Sequence, residues 1–172
     1  YKLLAPNSVL RQRPWAAPDY PVLTETDFKN KFPFEAYQDE HNINTWKKGK
    51  LVFEKYFNTE NTKNIAIGNI KKWQSGKYII VLDSKVSFGQ EVIAVARSTV
   101  FSATDKTLAD KQLFNISTDK ATYETGDTVK LTIGTAAEDL TVSVDIEKGQ
   151  ETIKTYIFNL NNNKKSIEIP VS

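Results

Sequence analysis

Short apolar stretches separated by polar turns run along most of the chain, and few of them show a helical period. In one of the clearest, Val129, Leu131 and Ile133 alternate with polar residues, which is the two-residue period of a half-buried strand. Such stretches recur roughly every dozen residues, a spacing typical of sandwiches and barrels. The pattern therefore predicts an all-β fold. The predicted strands are Lys2–Leu4, Lys50–Phe57, Asn64–Ile70, Lys77–Leu82, Glu91–Phe101, Thr128–Gly134, Leu140–Ile146, Thr152–Leu160 and Lys165–Val171.

One short helix is predicted at Glu25–Lys31. Thr24 can cap its N-terminus, and Asp27 stands three residues later, like the acidic half of a capping box. Pro33 disfavours a longer helix. Most of Pro6–Asn44 is otherwise irregular and rich in proline, but its aromatic residues predict packing on a sheet rather than disorder. These residues are Trp15, Tyr20, Phe28, Phe32, Phe34 and Tyr37.

The stretch KKWQSGKYIIVLDSKVSFGQEV, at residues 71–92, predicts a hairpin. Ile79–Leu82 lacks polar alternation, so we expect this run to be buried on both faces of its sheet. Tyr78 follows Gly76, a residue that can supply the backbone geometry of a tight corner. In an immunoglobulin-like sandwich, a tyrosine at this place hydrogen-bonds back to the preceding corner. The alternative is an ordinary hairpin with a half-buried tyrosine.

A polar segment, SATDKTLADK at residues 102–111, is the best linker candidate in the chain. It predicts a first domain at 1–104, a linker at 105–112 and a second domain at 113–172. Each domain has fewer predicted strands than the roughly seven of a full immunoglobulin-like sandwich. Because the chain also begins at Tyr1 rather than Met, we expect a piece cut from a tandem array. Both sandwiches would be truncated, with the helix and the Pro-rich segment in the first.

Composition narrows the possible functions. The 172 residues are 40% hydrophobic and carry a net charge of +2, with acidic and basic residues interspersed. This balance argues against a nucleic-acid partner. No apolar run is long enough to span a bilayer. The chain has no Cys, which excludes disulfides, thiolate metal sites and a cysteine nucleophile.

Catalytic and metal chemistry find little support in the sequence. His41 is the only histidine, and with Asp39 and Glu40 as neighbours it could ligate a metal. No second histidine accompanies it, so a solvated loop is the better interpretation. The chain also lacks the Gly-x-Ser-x-Gly motif of hydrolases. We therefore predict no enzyme activity, no catalytic, metal-binding or cofactor-binding residues, and no cofactor.

Two stretches mix basic and aromatic residues, RQRPW at 11–15 and TWKKGK at 45–50. Such a surface could bind glycans or nucleic acid, because aromatic rings stack and arginine contacts phosphate. The nearby acidic residues favour a structural role instead. We expect Trp15 and Trp46 to pack the irregular segment onto the sheet, with the arginine stems lying over them.

Two parts of the chain together resemble the alpha-2-macroglobulin-like family of bacteria. FNISTDKATYETGDTVKLTIGTAAEDLTVSVDIEKG resembles the opening of a macroglobulin domain, with its Asp-Lys pair followed by Tyr-x-x-Gly-(Asp/Glu). The residues that carry this motif are Asp119, Lys120, Tyr123, Gly126 and Asp127. The first half resembles a neighbouring macroglobulin domain in the form typical of Bacteroidetes proteins. Its matching stretches are YKLLAP, RQRPWAAPDY, FPFEAYQDE, TWKKGK and KKWQSGKYIIVLDSKVSFGQEV.

The resemblance implies two consecutive immunoglobulin-like macroglobulin domains from a protease inhibitor that traps its target. In many such proteins a thioester captures the protease, but that motif needs a Cys and this chain has none. The chain would therefore be structural scaffold, with neighbouring domains of the parent protein as partners and proteases reached only through the parent. The resemblance also implies an extracytoplasmic location, in the periplasm or at the cell surface. Attachment as a lipoprotein is one form that this location can take. The alternative is an adhesion or glycan-binding array of a bacterial surface protein.

Overall fold

The computed structural model describes residues 1–85, 89–102 and 104–172. These residues form two compact units, Tyr1–Pro6 with Asp39–Asp105 and Asn7–Gln38 with Lys106–Ser172. Strands in small sheets dominate, as the all-β prediction requires, and the predicted domain bounds 1–104 and 113–172 remain a prediction. The elements are α1 (Glu25–Lys31), β1 (Gly76–Lys85), β2 (Glu91–Val100), β3 (Asn115–Thr118), β4 (Thr128–Gly134), β5 (Leu140–Lys148), β6 (Glu151–Leu160) and β7 (Lys164–Pro170), with short 3-10 turns at Ile43–Thr45, Ile70–Lys72 and Ala109–Lys111.

The first unit is built around the β1–β2 hairpin. The two strands pair antiparallel in one continuous register, from Gly76 opposite Val100 to Lys85 opposite Glu91. The N-terminal residues lie along the beginning of β1, where the amide of Leu3 donates to the carbonyl of Lys77 over 2.8 Å. Leu3 is thereby almost fully buried. The predicted strand Lys2–Leu4 is thus reduced to bridges at Lys2 and Leu3, opposite Tyr78 and Lys48.

The predicted strands Lys50–Phe57 and Asn64–Ile70 are wrong, because both stretches have irregular backbone. Polar side chains between them bind the local backbone instead. The side chain of Asn58 accepts from the amide of Glu60, and the Thr62 hydroxyl donates to the carbonyl of Asn64. Such local hydrogen bonds compete with a strand ladder for the same backbone groups.

The hairpin begins with the predicted tyrosine corner. The Tyr78 hydroxyl donates to the carbonyl of Gln74 over 2.6 Å, and the ring stacks on Trp73 with centroids 5.1 Å apart. Tyr78 is 2% exposed, which rules out the half-buried alternative. Gly76 turns the chain at a φ of 146°, a value that residues with a side chain rarely adopt.

Burial of Ile79–Leu82 on both faces of the hairpin is not observed. Ile79 is buried, but Ile80 is 38% and Leu82 is 45% exposed. The N-terminal residues pair with β1 only as far as Ile79, through a 2.9 Å hydrogen bond from its amide to the carbonyl of Tyr1. The apolar run therefore extends beyond the part of the hairpin that these residues cover.

The second unit contains two small sheets that share one core. One sheet has the strand order β3-β4-β7 and the other is the β5–β6 hairpin, all of them antiparallel. Alternate residues of β4 to β7 point into this core, and the outer face of β6 carries the exposed Ile153 and Ile157 among its polar residues. The core side chains are Ile133, Val142, Phe158, Leu160 and Ile167.

Helix α1 has the predicted bounds and the predicted cap. The Thr24 hydroxyl accepts from the amide of Asp27 over 3.2 Å and donates to its carboxylate over 2.7 Å. The helix ends at Lys31, just before Phe32 and Pro33. An N-terminal capping residue satisfies an amide that the helix itself leaves unpaired, so seven residues suffice for a stable turn of helix.

Candidate interaction surfaces

The motif residues around Tyr123 close a turn. The Asp119 carboxylate accepts from the Tyr123 hydroxyl over 2.7 Å and from the amide of Lys130 over 2.9 Å. The Tyr123 oxygen in turn accepts from the amide of Lys120 over 2.9 Å. The turn is completed by Asp127, whose carboxylate accepts from the amide of Glu124. These polar groups are therefore used to join β3 to β4.

The charge of Asp119 is stabilised by this network. The hydrogen bond from Tyr123 lowers the pKa of the Asp119 carboxyl below its usual 3.8, and the bond from the backbone of Lys130 lowers it further. Hydrogen bonds donated to a carboxylate favour its ionised form. The turn is therefore held by an anion over the whole neutral range.

In the Pro-rich segment, the carboxylate of Glu35 contacts two arginines. Arg11 donates to Glu35 over 2.6 Å, and the Arg13 guanidinium lies 3.6 Å from the other carboxylate oxygen. That oxygen is buried and accepts no hydrogen bond, so its contact with Arg13 is ionic only. Arg13 also donates to the carbonyl of Ala36 and lies over the ring of Phe28. Sequence reasoning missed Glu35, because the arginines that it binds lie 24 and 22 residues before it.

The same segment surrounds an apolar cavity of about 160 Å³. The rings of Phe28, Phe32 and Tyr37 lie beside one another, with centroids 5.3 and 5.5 Å from that of Phe28. The Tyr37 hydroxyl donates to the carbonyl of Leu23, which keeps its polar end occupied. The aromatic residues of this segment thus pack mostly against one another, as small local clusters do under long loops.

The two tryptophans differ in burial, and the packing of Trp46 on the sheet remains a prediction. Trp46 is half-buried, and its indole nitrogen donates to the carbonyl of Glu40 over 2.8 Å. Trp15 is 64% exposed, so its predicted burial is wrong. Arg13 lies over Phe28 rather than over a tryptophan, which also departs from the prediction.

His41 lies in an exposed turn, as the solvated-loop interpretation expects. The backbone of this loop is ordered by its own residues, since the carbonyl of Asp39 accepts from the amide of Asn42 and the hydroxyl of Thr45. Within the described residues, no group of three or more histidines and carboxylates is arranged to hold a metal ion.

Large aliphatic side chains are exposed on several regular strands. On β2, Ile93 is 58% and Val95 is 49% exposed, and on β6 Ile157 is 72% exposed. Exposed aliphatic residues that adjoin one another on strands mark contact surfaces more often than scattered ones do. A sequence signal for β2 was present, because EVIAVA carries no lysine or proline to protect a strand edge.

Comparison with known proteins gives no relative for this chain. No protein-family description, no curated protein and no solved structure matches it. No helix in the described ranges is long and apolar enough to cross a membrane. The surfaces described above are therefore the basis on which a function can be argued.

Proposed function

We propose that the chain is a framework piece of a larger alpha-2-macroglobulin-like protease trap, made of two consecutive immunoglobulin-like macroglobulin domains. The observation that carries the proposal is the exposure of aliphatic side chains on regular strands, such as Ile93 on β2 and Ile157 on β6. Burying such residues against another protein surface contributes about 1.5–3 kcal/mol per fully exposed side chain. Strands with this surface are suited to domain–domain contact.

The turn around Tyr123 supports the same proposal. Asp119, Tyr123 and Asp127 form the resemblance to a macroglobulin domain, and all three form hydrogen bonds within the turn. A role in shaping the start of a domain accounts for these residues without any chemistry. The proposal includes no enzyme activity for this chain and, as the family resemblance implies, an extracytoplasmic location for the parent protein.

The test is to incubate the full-length protein that carries this chain with an endoprotease. Its shape is followed by small-angle scattering, and the retained protease is assayed on a small and on a large substrate. A trap predicts one limited cleavage, a change in shape, and a retained protease that cleaves only the small substrate. Limited cleavage with neither a change in shape nor retention would contradict the proposal.

One observation favours the alternative, a glycan-binding surface array. Trp15 is 64% and Tyr20 is 85% exposed, and both lie in the Pro-rich segment. Exposed rings can stack on the apolar faces of sugars. Titration of glycans while the fluorescence of Trp15 is followed distinguishes the two functions, with Trp15→Ala as the control for the other two tryptophans. Saturable quenching that Trp15→Ala removes would favour the array.

A further inference from the structure

Strand β2 has an edge that no lysine, proline or bulge protects. It runs for ten residues, Glu91–Val100, and within the described part of the chain it pairs only with β1. The register with β1 has no bulge, and the strand contains neither lysine nor proline. Proteins usually block edges with such devices, because an open edge presents unpaired amides and carbonyls to other strands. This edge is therefore suited to strand addition.

We propose that β2 pairs antiparallel with β2 of a second copy of this chain, around a two-fold axis through Ala94. An antiparallel pair related by a two-fold axis is self-complementary. Each contact between two different residues therefore occurs twice, once on either side of the axis. In this register Glu91 lies opposite Arg97 of the other copy, and Ile93 lies opposite Val95. The result is a continuous four-stranded sheet in which the β2 edges cover each other.

Charge pairing selects this register among the alternatives. Side chains on a strand alternate between faces, so the axis must pass through a residue for like faces to meet. With the axis at Ile93, Val95 or Ala96, neither Glu91 nor Arg97 faces an opposite charge. With the axis at Ala94, two Glu91–Arg97 pairs form on one face of the sheet. On the other face, Val92 lies opposite Ala96. Opposite charges and β-branched aliphatic pairs directly across from each other are the stabilising arrangements in antiparallel sheets.

The exposed aliphatic residues fit the same proposal. Ile93 and Val95 lie on one face of β2 and Val92 on the other, and all three are about half exposed. Residues directly opposite in an antiparallel pair have Cα atoms roughly 4.5–5.5 Å apart. Pairing would therefore place Ile93 against Val95 at both positions beside the axis.

A cysteine at the axis tests the register. The chain has no Cys, so Ala94→Cys introduces a single thiol. Opposite residues are close enough for a disulfide, and mild oxidation is expected to yield a covalent dimer. Ser98→Cys is the matched control, because it lies on the same face but its two copies would be roughly 27 Å apart. Equal cross-linking of the two variants, or none with Ala94→Cys, would overturn the proposal.

Charge reversal tests the partner in solution. Glu91→Arg should raise the dimer dissociation constant measured by sedimentation velocity about tenfold or more. The variant places an arginine opposite Arg97 at two positions, and like charges directly opposite each other destabilise a sheet. Combining it with Arg97→Glu swaps the charges and should restore the dimer. A wild-type chain that stays monomeric at every concentration, or a double swap without rescue, would refute self-pairing. Circular dichroism of each variant checks the fold, and a monomeric result would leave the proposed trap framework untouched.

Discussion

Replacing Thr135 by valine should destabilise the second unit, although it swaps one buried side chain for another of nearly the same shape. Thr135 is fully buried, and its hydroxyl donates to the carbonyl of Leu113 and accepts from the amide of Ala137 over 2.9 Å. Valine removes the oxygen and leaves both backbone groups without this partner. A fully buried polar group that loses its hydrogen bond costs about 1–3 kcal/mol. Leu113 and Ala137 are both half-buried, so about 1–2 kcal/mol is expected for each and roughly 2–4 kcal/mol for the pair.

Thr135→Ser is the matched control, because it keeps the hydroxyl and removes only a buried methyl group. Its expected cost is about 1 kcal/mol. Native-state hydrogen exchange of the core amides in β4 and β7 measures the stability of the second unit alone in both variants. Valine should speed the slowest exchange by roughly 30-fold to 1000-fold, and serine by about fivefold. If valine were neutral or stabilising, the hydroxyl would not be the group that matters and the reasoning would be wrong.

Three further predictions concern other hydrogen bonds. Tyr78→Phe deletes the corner hydroxyl and should lower the unfolding free energy of the first unit by about 1 kcal/mol, measured by tryptophan fluorescence in urea; an unchanged midpoint would argue against the corner. Glu35→Gln should loosen the Pro-rich segment, because Arg13 loses a buried anion. Limited proteolysis there should become faster, and equal rates would contradict this. The stabilisation from Asp119 should be complete above pH 3.8 and disappear as the pH falls below it, because its pKa is lower in the folded state. The difference in melting temperature from Asp119→Asn should shrink over that acidic range.

The sequence by itself determined the features that depend on neighbouring residues. The capped helix at Glu25–Lys31 follows from Thr24, Asp27 and Pro33, which act within one turn of the chain. The strand Thr128–Gly134 follows from simple alternation, because a half-buried strand needs one apolar face. The corner at Tyr78 was also predictable, since its partner carbonyl lies only four residues away.

Only the tertiary structure decided which apolar and polar residues are buried. Ile80 and Leu82 belong to a run that resembles a buried strand, yet they are exposed because the N-terminal residues cover β1 no further than Ile79. Thr135 lies just beyond the predicted strand Thr128–Gly134, yet it is fully buried, and its hydroxyl donates to a distant carbonyl, that of Leu113. Burial depends on which distant segments pack against a residue. The local pattern that predicts a strand or a helix does not identify those segments.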